Sequence, residues 1–190
     1  MDDESLTARL AVDLDGAFEQ LVLAHQDRLF SIALRLTGDP HDAEEVAQDA
    51  FVRAYRAFAG YDGERIRGIH LRPWLATITV NLARNVGRRA RTRPSEATLP
   101  EAAVPADDPR MRPEALVVRR ESARRWAGLV RELPERYRIP VVLRHVDDLS
   151  YPEMAEVLGR PQGTLKAQVH RGLVMLRAAL DAAEREEMTA

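Results

Sequence analysis

The sequence predicts an all-α protein in which a flexible, acidic linker joins two small helical domains. Three observations predict this class. Apolar residues recur at helical spacing in both halves of the chain, aromatic residues make up only 5% of it, and its middle is rich in proline. The apolar share of 45% is mostly Ala, Leu and Val, which favours helical bundles over a β-sandwich.

Composition also excludes several classes of protein. The 190 residues contain no stretch of 18 apolar residues, so we expect no direct insertion into a membrane. The N-terminus begins with acids rather than a basic segment before an apolar one, which argues against a secretory signal. Because the chain has no Cys, disulfides, Cys-ligated zinc and thiol redox sensing are excluded. We therefore expect a cytoplasmic protein.

The predicted linker covers residues 94–113. This segment holds five of the 11 prolines and four acidic residues, and it has almost no bulky apolar side chain. Such a segment cannot bury enough surface to offset the entropy lost on ordering. The predicted domains are therefore residues 1–93 and residues 114–190, on either side of the linker.

Three helices are predicted in the first domain. The first ends at Gly38, and the second begins with Asp39 as its cap and Pro40 at its first position. A glycine-rich stretch then leads to the third helix, which begins near Pro73. Their predicted apolar faces are Phe18, Leu21, Val22, His25, Leu29, Ile32 or Ala33, and Leu36; then Ala43, Val46, Ala47, Ala50, Phe51, Ala54, Tyr55 and Phe58; then Leu71, Leu75, Ile78, Leu82 and Val86.

The second domain is predicted to contain a helix-turn-helix. After helices over 114–133 and 135–146, Ser150 and Glu153 have the spacing of a capping box. A short helix over 151–158, a turn at Gly159 and a last helix over 162–183 follow. The last helix is expected to bury Leu165, Val169, Leu173, Leu176 and Leu180.

Short, polar and basic residues lie near the N-terminus of this last helix, on the face opposite its apolar stripe. They are Thr164, Lys166, Ala167, His170 and Arg171. Short polar and basic groups at the start of a second helix suit insertion into the DNA major groove. The alternative is an ordinary helical hairpin with a solvated basic face.

The other two candidate surfaces lie in the first domain. The third helix carries a second stripe, followed by further arginines: Trp74, Thr77, Asn81, Arg84, Arg88 and Arg89. Arginines bind phosphate, and an exposed Trp and Asn offer stacking and base-edge contacts; alternatively, Trp74 belongs to the core and the arginines only solubilise the helix. The second helix carries the third surface, which is either a solvated acidic face or a docking site for a basic partner: Glu45, Gln48, Asp49, Val52 and Arg56.

These segments resemble the extracytoplasmic-function sigma factors of the sigma-70 family. The polymerase-binding helix of sigma region 2 is similar to residues 42–56, DAEEVAQDAFVRAYR, and its −10 element helix is similar to residues 72–81, RPWLATITVN. Region 4 is similar to residues 149–159, LSYPEMAEVLG, followed by GTLK at 163–166. The three matches come in the family's order and cover almost the whole chain outside its termini.

The resemblance implies a role for each surface. Glu45, Gln48 and Asp49 would bind the β′ clamp of RNA polymerase, with the β flap as a further contact of the core enzyme. Trp74, Asn81 and Arg84, with the loop 61–71, would open the −10 element and bind it as a single strand. Lys166, Ala167, His170 and Arg171 would face the −35 duplex, with Arg144 and Thr164 on phosphates.

The resemblance also implies partners and leaves some features open. It implies promoter DNA and an anti-sigma factor as partners, with no catalytic residue, cofactor, metal or small-molecule substrate. Ala167 and Gln168 replace the Ser and Arg that are common in the family, and His170 is unusual, so the −35 preference stays open. The loop before Trp74 is also unusual, which leaves the preferred −10 bases open.

Three rival functions differ in what they leave unexplained. A helix-turn-helix regulator that acts without polymerase would not need the first domain or its acidic stripe. An enzyme would need a nucleophile–base pattern, a His pair at metal-ligand spacing or a Gly-rich phosphate-binding loop, and none occurs. A helical interaction protein or sigma antagonist would not need a basic face on both domains.

Overall fold

The computed structural model describes residues 2–92 and 126–188, and all regular structure in these two ranges is α-helical. The predicted all-α class is therefore confirmed. The predicted linker over 94–113 lies outside the described residues, as does the part of the predicted helix 114–133 that precedes residue 126. None of the described helices is long and apolar enough to cross a membrane.

The first bundle contains α1 (Asp3–Leu10), α2 (Leu14–Thr37), α3 (Pro40–Ala59), α4 (Gly63–Arg67) and α5 (Leu71–Thr92). Helices α2, α3 and α5 pack against one another around a buried apolar core. The predicted boundary between α2 and α3 is confirmed: Gly38 ends α2 at φ 77°, and the Asp39 side chain accepts hydrogen bonds from the first turn of α3.

Helix α1 was not predicted. Asp2 caps it by accepting a hydrogen bond from the Ser5 backbone N–H, and Leu6 and Leu10 are buried one turn apart. The helix packs on both α2 and α4 and so supports the segment that leads to α5. Its two apolar positions are too few to stand out as a periodic pattern, although the cap was visible in the sequence.

The second bundle contains a helical segment over 126–132, α6 (Glu135–His145), α7 (Tyr151–Leu158) and α8 (Gln162–Glu187). Both hydrogen bonds of the predicted capping box form between Ser150 and Glu153. Gly159 ends α7 at φ 61°, where a side chain would be strained, and α8 then packs back on α6 and α7. The predicted helix-turn-helix is present in the structure.

Two predicted core residues are wrong. Tyr55 is 38% exposed, because its ring packs edge-on against Phe18 while its hydroxyl donates a hydrogen bond to Asp15 at the surface. Leu173 is also 38% exposed. Its neighbour Gly172 is buried instead, since α8 approaches α6 so closely that a Cβ there would lie 2.6 Å from Val141.

The two bundles are in contact. Helix α7 packs against α5, and α6 lies against α2. The connection between α6 and α7 contributes Asp147, which is 1% exposed, to this contact. The helix predicted to bind the −10 element thus faces the second bundle.

Candidate nucleic-acid and polymerase interface

Helix α5 presents the predicted −10 stripe along one side. Asn81, Arg88 and Arg89 are exposed, and Thr77 is half-buried with its hydroxyl donating to the Pro73 carbonyl at 2.9 Å. The guanidinium of Arg84 lies 3.3 Å from the carboxylate of Glu135 on α6. The stripe is therefore continuous, but one of its cations is paired with the second bundle.

Trp74 combines the two alternatives that the sequence left open. Its indole is half-buried, and its centroid lies 4.8 Å from the Phe58 ring at an interplanar angle of 32°. It is packed against the core, yet it also lines a cavity of about 360 Å³ together with Thr77 and residues 68–70. A side chain held in this way is a rigid platform on which an unpaired base can stack.

The segment before α5 shapes the rest of this cavity. Asp62 caps α4 by accepting a hydrogen bond from the Arg65 backbone N–H, and the Arg65 guanidinium lies 3.8 Å above the Tyr61 ring. His70 is exposed and lines the cavity from the N-terminal side of α5. Glu156 of α7 also lines the cavity, so the second bundle contributes an acidic residue to it.

The acidic stripe of α3 lies in solvent. All five predicted residues are exposed: Glu45, Gln48, Asp49, Val52 and Arg56. Burial raises the pKa of the neighbouring Asp42, and the charges of Asp39 and Glu45 raise it further. The acids lie in the N-terminal half of α3, and the 46% exposed Val52 lies farther along the same stripe, a combination that suits a basic partner helix.

The N-terminal half of α8 presents the predicted duplex-binding face. Leu165 and Val169 are buried, and the predicted contacts on the other side are all exposed: Thr164, Lys166, Ala167, His170 and Arg171. Because these side chains flank the start of the second helix of a helix-turn-helix, they are placed to enter a major groove.

Arg144, predicted to contact a phosphate, is fixed by contacts within the second bundle. Its Nη1 donates a hydrogen bond to the Leu149 carbonyl at 3.0 Å. Both its guanidinium and the Lys166 ammonium lie 5.5 Å from the centre of the Tyr151 ring. The Tyr151 ring thus makes cation–π contacts with both side chains, a role that the sequence analysis did not assign to it.

Among the described residues, no three His, Cys, Asp or Glu side chains are grouped as metal ligands would be. The sequence analysis missed one cluster, in which Arg28, Arg72 and Asp147 interlock. Asp147 is separated from Arg28 by 119 positions, so no local pattern could have revealed it.

Comparisons with known proteins agree with this arrangement. A family model for sigma-70 region 2 matches residues 21–93, and one for sigma-70 region 4 matches residues 124–176. The chain is 32% identical over 174 residues to the ECF RNA polymerase sigma factor SigW of Bacillus subtilis, covering 86% of this chain and 89% of that relative.

Two further likenesses cover most of the chain. It is 36% identical over 163 residues to the ECF RNA polymerase sigma factor SigE of Mycolicibacterium smegmatis; the match covers 85% of this chain but spans only 60% of that longer relative. The solved structure of CnrH in complex with the cytosolic domain of CnrY superposes with a TM-score of 0.68 at 27% identity, covering 95% of this chain and 97% of that one.

Proposed function

The chain belongs to the extracytoplasmic-function sigma factors of the sigma-70 family, and from this premise we propose how its surfaces direct RNA polymerase to promoters. The observation that carries the proposal is a polar and basic face on each bundle: α5 in region 2, where Asn81, Arg88 and Arg89 are exposed, and the exposed start of α8 in region 4. Each face is small, so the pair needs a scaffold that fixes their spacing before both can bind together. Core polymerase is that scaffold.

The acidic stripe on α3 is the docking site for the polymerase β′ clamp. Glu45 and Asp49 supply negative charge, and Val52 supplies an apolar contact on the same stripe. Complementary charge steers the encounter, while the buried apolar contact contributes to the lifetime of the complex. The β flap would hold region 4 separately and so set the distance between the two DNA-binding faces.

The −10 element is bound as a single strand by α5. Unstacking a base costs a few kcal/mol, so the protein has to supply a pocket and a stacking surface in return. Trp74, fixed against Phe58, supplies the surface, and Asn81 supplies a polar group for a base edge. Arg88 and Arg89 continue the face with positive charge for the strand's phosphates.

The −35 element is bound as a duplex by α8. Lys166, His170 and Arg171 enter the major groove, and the Arg144 guanidinium, fixed beside Tyr151, meets the backbone with Thr164. Because Ala167 is short, it allows a close approach of the helix to the base edges. The protein performs no bond chemistry of its own in this scheme; polymerase supplies it.

We also propose that a separate regulatory protein binds this one and covers its binding faces. CnrH, which the chain resembles, was solved with the cytosolic domain of CnrY. Since the acidic stripe on α3 and the duplex-binding face on α8 are open to solvent, a partner of this kind could cover them. We place this protein in the cytoplasm, where polymerase and promoter DNA are found.

Run-off transcription tests the proposal. Core polymerase with the protein should produce discrete transcripts from a subset of genomic fragments, and core polymerase alone should not. A regulator that acts without polymerase would instead bind operator DNA by itself and leave core enzyme inactive. Specific binding of the protein alone to DNA fragments, without transcripts when core polymerase is added, would therefore favour that alternative and contradict the proposal.

A further inference from the structure

The contact between the two bundles centres on one buried carboxylate. Arg28 of α2 donates from both Nε and Nη2 to the Asp147 carboxylate, the latter hydrogen bond being 2.7 Å long. The same Nη2 donates to the Arg72 carbonyl at 2.9 Å, and the Arg72 side chain donates to the Asp147 carbonyl. Three residues from α2, α5 and the α6–α7 connection are therefore interlocked.

The cluster fixes a geometry more than it adds stability. Burial raises the pKa of Asp147, and the hydrogen bond and charge of Arg28 oppose that rise. A buried ion pair of this kind gains little over an apolar contact, but the loss of one partner leaves the other charge buried and unpaired. Nη1 of Arg28 is also buried without a hydrogen-bond partner among the described residues. If the two bundles separated, water could accept a hydrogen bond from this Nη1.

A second ion pair extends the contact along α5. The Arg84 guanidinium lies 3.3 Å from the Glu135 carboxylate, and both groups are partly exposed. Glu156 of α7 lines the cavity that contains Trp74 and Thr77. Carboxylates of the second bundle thus occupy the surroundings of the −10 stripe, where phosphates of a bound strand would otherwise lie.

We propose that Asp147, Arg28 and Arg72 form a latch that holds the free protein in a closed form and masks its −10 surface. Opening separates α7 from α5, frees Arg84 from Glu135 and exposes the Trp74 cavity. The 33 residues that connect the described ranges are long enough for the two bundles to part, because an extended chain spans about 3.3–3.6 Å per residue. The proposal that the closed form masks a DNA-binding surface rests on the proposed function. The existence of the closed form does not depend on that function.

The latch lowers the apparent affinity of the free protein for DNA. A site that exists only in a fraction of molecules binds with an affinity reduced by that fraction. Polymerase, which binds the two bundles at separate places, would hold the open form. The free protein is thereby kept from occupying single strands elsewhere.

Distances between labels on the two bundles test the closed form. The chain has no Cys, so Glu19→Cys on α2 and Arg177→Cys on α8, both exposed positions, would carry the only spin labels. Pulsed electron-spin measurements should give one narrow distribution of distances for the otherwise unchanged full chain. Asp147→Asn should broaden it toward longer distances, and Glu135→Gln should do so more weakly.

The matched control is the neighbouring acid. Asp148 is exposed and has φ 53°, a conformation that Asn adopts readily, so Asp148→Asn removes the same charge without touching the contact. It should keep the narrow distribution. A broad distribution in the parent, or an unchanged one in an Asp147→Asn variant with a normal thermal melt, would overturn the latch. If Asp147→Asn does not fold, the distance distributions of the parent and of Glu135→Gln still test the closed form.

Binding of a short fluorescent single strand tests the masking. The strand carries the −10 sequence of a promoter mapped by run-off transcription with this protein. Asp147→Asn should bind it roughly tenfold more tightly than the parent if about a tenth of parent molecules are open, whereas Asp148→Asn should match the parent. An opened variant with unchanged affinity contradicts masking but not the latch. Failure of Asn81→Ala to change the affinity would instead count against the proposed function.

Discussion

Trp74 stacks on Phe58 with ring centroids 4.8 Å apart, and the same indole lines a cavity beside α5. One side chain therefore belongs both to the core of the first bundle and to the proposed −10 site. A substitution there must change both stability and strand opening, and the two effects have to be separated experimentally.

Replacement of Trp74 should have a double effect, and replacement of Asn81 a single one. Trp74→Ala should reduce the free energy of unfolding by about 2–3 kcal/mol, less than the about 3–5 kcal/mol expected for a fully buried aromatic. Asn81 is exposed, so Asn81→Ala should change stability by no more than about 0.5 kcal/mol. Both should impair opening of the −10 element.

Permanganate footprinting with polymerase, on duplex and on pre-melted promoter, measures that opening. A pre-melted −10 bubble should restore part of the activity that Asn81→Ala loses, because the template already supplies the unpaired strand. Equal defects on both templates, from a stably folded Asn81→Ala protein, would refute the assigned role. Trp74→Phe serves as the control that retains stacking.

Charge reversal on α3 should abolish polymerase binding without unfolding the protein. Glu45 and Asp49 are both exposed, so the double change to Lys should shift stability only within the range of surface sites, about 0.5 kcal/mol for each. A pull-down with core enzyme beside a circular dichroism melt measures both properties. The control reverses Glu19 and Asp27, two exposed acids on α2, and should bind normally. Normal binding by the folded α3 variant would rule out this docking site.

Substitutions on α8 should act at an earlier step than those on α5. Lys166→Ala and Arg171→Ala should each weaken closed-complex formation at the −35 element. The loss should be about 1–3 kcal/mol with altered base preference for a base-edge contact, or a salt slope reduced by about one for a phosphate contact. Arg177→Ala, exposed farther along the same helix, is the control. Unchanged occupancy in both variants would remove this face from the interface.

Acidification should weaken the first bundle through His25. This side chain is 4% exposed, and its Nε2 lies 3.6 Å from Asp3. Burial lowers the pKa of His25; Asp3 opposes the shift, and the charges of Arg28 and Arg72 reinforce it. The unfolded chain therefore takes up a proton near pH 6.5 that the folded chain resists, so stability is present above about pH 6.5 and falls below it.

Urea unfolding between about pH 7.5 and about pH 5.5 measures this effect around the pKa of an unperturbed His. The parent should lose stability toward the acidic end, whereas His25→Leu, which cannot titrate, should lose distinctly less. The exposed His41→Gln should behave like the parent. A His25→Leu variant with the parent's full pH dependence would show that another group is responsible.

Local signals in the sequence predicted most of the fold. Asp39, Gly38 and the Ser150–Glu153 box each act within one helical turn, so their hydrogen bonds form as predicted. Periodicity alone was less exact, because Tyr55 and Leu173 lie at the edge of their apolar faces. At such positions, burial depends on how closely the neighbouring helix packs. Gly172 is buried because α6 approaches it closely.

The sequence predicted which residues form each candidate surface, but it did not predict which of those residues are paired or partly buried in the folded protein. Exposure of Glu45, Asn81 and Lys166 follows from the helical period. The pairing of Arg84 with Glu135, and of Arg28 with Asp147, depends on how two bundles meet and leaves no local pattern. The half-burial of Trp74 is of the same kind, because Phe58, which covers one face of its ring, lies on another helix.

The central claim is that this protein recognises promoters only as a subunit of RNA polymerase. Footprinting on one mapped promoter, with the protein alone and with added core enzyme, tests it most directly. We predict no stable protection by the protein alone at concentrations where the assembled enzyme protects the −35 and −10 elements together. Tight protection of both elements by the isolated protein would contradict the account.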